Sequence, residues 1–405
     1  MKSNYKRLGN YIKLIDVRNR NLEIENLIGL SIQKKFIQSK SNLIGTDMST
    51  YRILNKNQFA YCSVTSRNGE KITIALYQEN ETAMVSQAYD VFEIANQREL
   101  LPEYLMMRFK RSEFDRYSRY MSHGSVREMF SWEEMCEVML PVPHPNKQKE
   151  IVDEYNTILN RIEINNQLIQ KLEETAQAIY KQWFVDFEFP DEDEKPYKSS
   201  GGEMEFCEKL EIEIPKDWKA MTVKVFCVDM KSGGTPSRDI LEYWDSNDIP
   251  WLKTGEISNN IIITTEEHIS EKGLKMSSAK ILPKESVLMS MYGVNAGDLG
   301  ILKIEAATNQ ACCGMICENP IHSAYLYFHL LHNQAFISSQ SIGGAQENLS
   351  KNYIEKFPIL KPTNGLLKKN EFKIIVHNKD MFTKEISSLS KMSELLLSKL
   401  ATIEN

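Results

Sequence analysis

From Ile151 the apolar positions fall into step. Ile151, Tyr155, Ile158, Ile162, Asn165, Ile169, Leu172, Ala176, Ile179 and Trp183 alternate in spacings of four and three. That spacing keeps one face apolar through successive turns and predicts a long helix with a heptad seam. The seam covers 33 residues, about 50 Å at roughly 1.5 Å per residue. Asn165 is its one polar member, either a buried register-setting residue or a solvated interruption. The tail repeats the pattern at Phe372, Ile375, Lys379, Phe382, Ile386, Leu389, Ser393, Leu396, Leu400 and Ile403. Two seams of similar length in one chain can pair as an antiparallel coiled coil, or each helix can pack on its own globule.

Elsewhere the pattern is short-range. Residues 1–143 read as an α/β (α+β) globule, with strand-like runs at 71–76 and 89–94 and a more helical stretch over 103–120. Pro141, Pro143 and Pro145 close it, because proline cannot continue a helix. Residues 144–187 hold the first seam. Residues 188–217, with Pro190-Asp-Glu-Asp-Glu-Lys-Pro196 and Ser199-Ser-Gly-Gly202, read as an acidic, flexible linker. A second globule covers 218–362, with strands near 260–264 and 286–290, and the tail helix covers 363–405.

The two halves share wording as well as order. Gly124-Ser-Val-Arg-Glu-Met-Phe-Ser131, running to Pro143, matches Gly343-Gly-Ala-Gln-Glu-Asn-Leu-Ser350, running to Pro362. Val85-Ser-Gln-Ala-Tyr89 echoes Thr308-Asn-Gln-Ala-Cys312. The period is far longer than the 20–50 residues of a solenoid repeat, so the chain is a duplicated two-part module that does one job at two places.

Composition refines this picture. The 42% hydrophobic and 26% charged content is that of a soluble protein. No apolar run is long enough for a membrane span, and the basic start lacks the apolar core of a signal peptide. Seven cysteines without framework spacing fit a reducing cytoplasm. The net charge of −6 is unevenly spread. Residues 1–71 hold 13 Lys/Arg against 5 Asp/Glu, while residues 186–217 hold 4 against 12. A basic face, rather than a basic average, is what nucleic acid needs.

Enzyme signatures do not emerge. The sequence has no Gly-x-x-x-x-Gly-Lys-Ser/Thr loop. Gly293-Val-Asn-Ala-Gly-Asp-Leu-Gly300 has neither phosphate-loop spacing and reads as a hairpin. Asp248-Ile-Pro-Trp251 lacks the second proline of an amino-methyltransferase site and reads as structural. Cys312, Cys313 and Cys317 have no metal-ligand spacing and suit a buried strand. No catalytic residue and no metal site is indicated, and the expectation is a non-catalytic chain.

Globules alternating with heptad helices resemble the specificity (S) subunits of type I restriction-modification systems. Lys231-Ser-Gly-Gly-Thr-Pro-Ser-Arg238, Glu242-Tyr-Trp-Asp245 and Ile249-Pro-Trp-Leu-Lys-Thr-Gly-Glu256 look like the opening of a target-recognition domain. Ile342-Gly-Gly-Ala-Gln-Glu-Asn-Leu-Ser350 with Phe357-Pro-Ile-Leu360 looks like its close, and residues 174–187 are similar to the family's central conserved helix. Residues 1–40 depart from the pattern, with Asp16-Val-Arg-Asn-Arg-Asn21 in place of a Gly-Gly-Thr-Pro opening, so the two domains are expected to read different half-sites.

The resemblance implies two tandem target-recognition domains that read a bipartite double-stranded DNA site for adenine N6 methylation or restriction, a phage-defence role. It implies two methyltransferase (M) and two restriction (R) subunits as partners. S-adenosylmethionine, ATP and Mg would be bound by those partners, and no cofactor by this chain. The helices would hold the readers at least a duplex turn of roughly 34–36 Å apart. Turn-like basic segments nominate Arg18, Arg20, Lys34, Lys35, Ser66, Arg67, Asn68 and Lys71 in the first domain. The second nominates Thr235, Ser237, Arg238, Lys253, Thr254, Tyr292 and Asn295. Arg and Lys suit guanine edges and phosphates, Asn suits adenine. Gly233, Gly234 and Pro236 shape their loop. Trp183, Phe184 and Phe187 either anchor a methyltransferase subunit or are buried against the tail helix. The rival readings are a free-standing methyltransferase or nuclease, and a coiled-coil adaptor with no DNA role.

Overall fold

The structure is a computed structural model. It describes residues 5–39, 46–66, 69, 71–123, 128–340, 348–369 and 371–400. The chain divides into two compact units, Met1–Ile162 with Ser388–Asn405, and Glu163–Ser387.

Each unit carries a sheet of the same order. In the first, strand Ile12–Ile15 pairs with Tyr89–Ile94, which pairs with Gln58–Cys62, which pairs with Ile74–Leu76. In the second, Asp229–Ser232, Cys312–Ile316, Val287–Ser290 and Leu299–Leu302 follow one another in that same order, with Asn260–Ile262 added at the edge. Phe59 and Phe92 stack at 4.8 Å in the first core. Val287, Met289, Leu299 and Ile301 are fully buried in the second. A helix that starts on proline follows each sheet, Pro102–Phe109 and Pro320–His332. Proline suits that position because the first N–H of a helix has no partner anyway. The stretch expected to be helical over 103–120 is two helices, the second Ser112–Tyr120.

The matched motif forms the same structure twice. Ser131 and Ser350 each cap a six-residue helix, accepting from the N–H of Glu134 and Tyr353. A side-chain cap of this kind satisfies an otherwise orphaned donor. Each helix leads into a strand, Met139–Pro141 or Pro358–Lys361, paired antiparallel with Tyr5–Arg7 or Lys219–Thr222. The Tyr104 hydroxyl donates to the Pro141 carbonyl at 3.2 Å, and Tyr325 donates to Leu360 at 2.6 Å. Gly124–Arg127 and Ser341–Glu347 of the motif lie outside the described residues.

The heptad positions form long helices, Pro145–Tyr180 and Glu371–Lys399. Every described seam residue is buried or half-buried, and none is exposed. In the first unit, Ile151 and Tyr155 share a core with Leu396 and Leu400. In the second, Ala176 and Ile179 share one with Phe372 and Ile375. The early turns of one helix thus meet the late turns of the other, which is antiparallel pairing. Lys379 is 1% exposed and forms an ion pair with Glu173 at 2.5 Å. Asn165 is fully buried with both amide atoms unpartnered, so it is a seam member and not a solvated interruption. Ile403 lies outside the described residues.

One expectation is corrected. Residues 188–217 are not a flexible linker. After a π-helical turn at Lys181–Val185 the chain folds into a hairpin, Met204–Cys207 with Ile212–Pro215. Phe189 stacks on Tyr197 and Trp218 at 4.5 and 5.2 Å, and these rings with Ile214 anchor the segment on the second core. Its acidic residues face solvent around an aromatic clasp.

Candidate DNA-recognition surfaces

In the second unit the Gly-Gly-Thr-Pro loop is fixed by close approach and by two indoles. A Cβ on Gly233 would collide with Thr308, and one on Gly234 with Ser278. Glycine is therefore required at both for steric reasons. The Trp251 indole N–H donates to the Gly234 carbonyl and that of Trp244 to Ser237, each at 3.0 Å. The two rings meet edge to face at 4.9 Å. On this platform lies Arg238, its guanidinium 3.5 Å from the Trp244 ring centre and 5.1 Å from that of Trp251. Glu267 holds Arg238 at 2.7 Å and Lys253 at 3.0 Å, and Lys253 also reaches Glu266 at 3.1 Å. Burial alone would raise the Glu267 carboxyl pKa, but Lys253 and Arg238 hold it below the usual carboxylate value. A stacked guanidinium keeps its planar fork pre-aimed.

Hydrogen bonds join the rest of the surface to this cluster. Thr235 donates to the Gln310 side chain at 2.7 Å. The Met291 N–H donates to Ala311, and Leu349 to Met291, both at 2.8 Å. Tyr292 stands 45% exposed beside Asn348. Asn295 is half-buried in the Gly293–Asn295 turn, which closes an antiparallel hairpin. Ser237 is exposed and Thr254 half-buried. The structure thus gathers Thr235, Ser237, Arg238, Lys253 and Thr254 around one loop cluster, which Gln310 and Ala311 link to the strand end that carries Tyr292, with Asn295 in the turn beyond it. The Trp244–Trp251 platform, Gln310 and the Glu266–Glu267 clamp were not nominated from sequence. Two tryptophans seven residues apart were the available signal.

The first unit treats its candidates less uniformly. Lys34 is corrected: it is 7% exposed, donates to the Phe109 carbonyl at 2.5 Å and pairs with Asp115 at 2.7 Å. Burial lowers its pKa and Asp115 opposes that. It is a core cation, not a DNA-facing one. Arg18 binds the Thr50 carbonyl and Asp16, both at 3.0 Å, and Arg52 takes the same carboxylate at 3.2 Å. Arg52, and after it Arg18, pull the Asp16 pKa down. Arg20, Lys35, Ser66 and Lys71 are exposed. Asp115 accepts from the Ile72 N–H at 3.1 Å, which sets Lys71 beside the Lys34 site, while Arg18 belongs to the Arg52 cluster. Arg67 and Asn68 lie outside the described residues.

The proposed partner anchors are also corrected in part. Phe184 and Phe187 are 5% and 4% exposed in the second core, where they contact Trp218, while Trp183 is half-buried. Among the described residues, no group of three or more His, Cys, Asp or Glu is arranged to hold a metal ion. No described helix is long and apolar enough to cross a membrane.

One sheet, one helix and one ribbon built twice, each with a loop surface, define a duplicated recognition protein. The chain belongs to the family of the type I restriction modification DNA specificity domain, which matches residues 10–174 and 215–395. It is similar to the HindI specificity subunit of Haemophilus influenzae, 22% identical over 91% of both chains. It is also similar to the MjaIX specificity subunit of Methanocaldococcus jannaschii, 25% identical over 74% of this chain and 68% of that one. The S subunit from M. genitalium shares the fold, with a TM-score of 0.55 and 15% identity over 99% of this chain and 96% of that one. The chain is a type I specificity subunit with two recognition domains, and the subunits of this class are non-catalytic.

Proposed function

We propose that this chain reads a bipartite double-stranded DNA target, one half-site per recognition domain, and brings two methyltransferase and two restriction subunits to it. The partners bind S-adenosylmethionine, ATP and Mg and carry out adenine N6 methylation or cleavage in the cytoplasm. A methyltransferase must take its base out of the stack, while the specificity chain holds the flanking duplex. The observation that carries this reading is the duplicated sheet order within a member of a DNA-specificity family. The cluster of Arg238, Lys253, Thr235 and Tyr292 supports it with a stacked fork, an ammonium, a hydroxyl and an exposed ring. Arginine fits the guanine O6/N7 edge, and both cations fit phosphate.

Fluorescence anisotropy of labelled duplex, with the chain in complex with its methyltransferase, tests the proposal. Log affinity should fall linearly with log salt as phosphates are neutralised. Binding without salt dependence or sequence preference contradicts it, and the absence of duplex binding favours the adaptor reading.

A further inference from the structure

The phrase Ser-Gln-Ala at 86–88 returns as Asn-Gln-Ala at 309–311, and both copies fold the same way. A short strand leads in, Ala83–Val85 or Ala306–Thr308. After the phrase the second strand of each sheet begins, Tyr89–Ile94 or Cys312–Ile316. One hydrogen bond closes each turn: the Tyr89 N–H donates to the Ser86 carbonyl at 3.0 Å, and that of Cys312 to Asn309 at 3.3 Å. The middle residue is Gln87 in one unit and Gln310 in the other, and both are exposed.

Nothing local calls for glutamine there. Turns favour Gly, Pro, Asn, Asp and Ser, for their backbone freedom or for side chains that bond nearby N–H groups. Ser86 does this already, its hydroxyl accepting from the Ala88 N–H at 3.3 Å. Among the described residues the Gln87 amide has no hydrogen-bond partner. The Gln310 Oε1 accepts from the Thr235 hydroxyl at 2.7 Å, and its amide nitrogen has no acceptor among the described residues.

Each turn is also tied to the loop that leaves the first strand of its sheet. Counted from the strand ends Ile15 and Ser232, Arg18 and Thr235 hold the same place. Thr235 reaches Gln310 directly. Arg18 shares the Asp16 carboxylate with Arg52, and Arg52 donates to the Gln87 carbonyl at 3.3 Å. The two units thus keep the turn and change the loop beside it, Asp16-Val-Arg18 against Gly233-Gly-Thr235. A residue common to two readers of unlike half-sites suits what those half-sites share, which is the sugar-phosphate backbone. Glutamine offers a neutral amide with two donors and is among the side chains that bond phosphate oxygens.

We propose that Gln87 and Gln310 are a matched pair of DNA backbone contacts. In each domain the glutamine amide N–H donates to a phosphate oxygen and sets the register in which the neighbouring loop meets base edges. This rests on the DNA-reading proposal above.

The test is fluorescence anisotropy with the full chain in complex with its methyltransferase. The probes are a duplex carrying the complex's own methylation motif and duplexes with one base pair changed in either half-site. Gln87→Ala and Gln310→Ala should each weaken binding about threefold to tenfold, the loss of one hydrogen bond. The factor should be the same on every duplex, at the parent's salt slope, since a neutral donor releases no counterion. Gln310→Lys should steepen the slope of log affinity against log salt by about 0.9, one further phosphate neutralised. Unchanged affinity in both alanine variants overturns the inference. So does a loss confined to one base-pair position, which would make the glutamine a base reader, or a lysine variant with the parent's slope. Lowered melting midpoints in the alanine variants overturn it too, in favour of a turn-forming role. A parent complex that binds no duplex removes the DNA reading itself, and the inference with it.

Discussion

Lys34 and Arg238 are both basic residues of turn-like segments, and the fold uses them in opposite ways. Lys34 lies at positive φ and reaches a carbonyl 75 residues away, whereas Arg238 lies on an indole and keeps half of its side chain in solvent. Local composition reads the same for both, because the difference is made by tertiary partners. Asp115→Ala should leave the Lys34 ammonium buried and unpaired and destabilise the chain by about 3–5 kcal/mol in denaturant melts. Arg238→Ala should weaken specific DNA binding by about 1–3 kcal/mol and relax preference in one half-site only. His329 gives a pH signature. Burial holds its imidazole at about 4 against an ordinary 6.5. The unfolded chain then protonates first, so this contribution is complete above 6.5 and is lost as pH falls towards about 4. Desolvation shifts the half-buried His322 and the exposed His332 in the same direction. The midpoint of thermal unfolding should fall over that window, with a shallower slope in His329→Phe.

The helices were the most legible elements. A heptad seam is written in the spacing itself, and burial follows it from Ile151 to Trp183 and from Phe372 to Leu400. Tyr89–Ile94 was legible residue for residue, because apolar alternation and turn residues bounded it. The 188–217 segment was not. Phe189, Tyr197 and Trp218 are too widely spaced to show any period, and the acidic run between them reads as solvated. Asn165 gives the seam its clearest test. Both amide atoms are buried without partners, and an unmet buried polar group costs about 1–3 kcal/mol. Asn165→Leu should therefore raise stability by about that amount in chemical denaturation, and a loss of stability would show that the amide is satisfied in solution.

For the whole molecule, the duplication was visible as a faint echo of words and became plain as an identical sheet order. Sequence diverges where the surface must differ, at Asp16-Val-Arg-Asn-Arg-Asn21 against Ser232-Gly-Gly-Thr-Pro-Ser237. The framework is kept, as in the Ser131 and Ser350 caps. Two different readers on one framework is the central claim, and the genomic adenine-methylation motif tests it most directly. It would be determined by single-molecule sequencing in cells expressing the chain with its methyltransferase, and in cells expressing the methyltransferase alone. A split motif of two unlike short half-sites with a fixed gap, present only with this chain, is the expected result. The absence of any new motif, with both proteins folded and associated, would contradict the account.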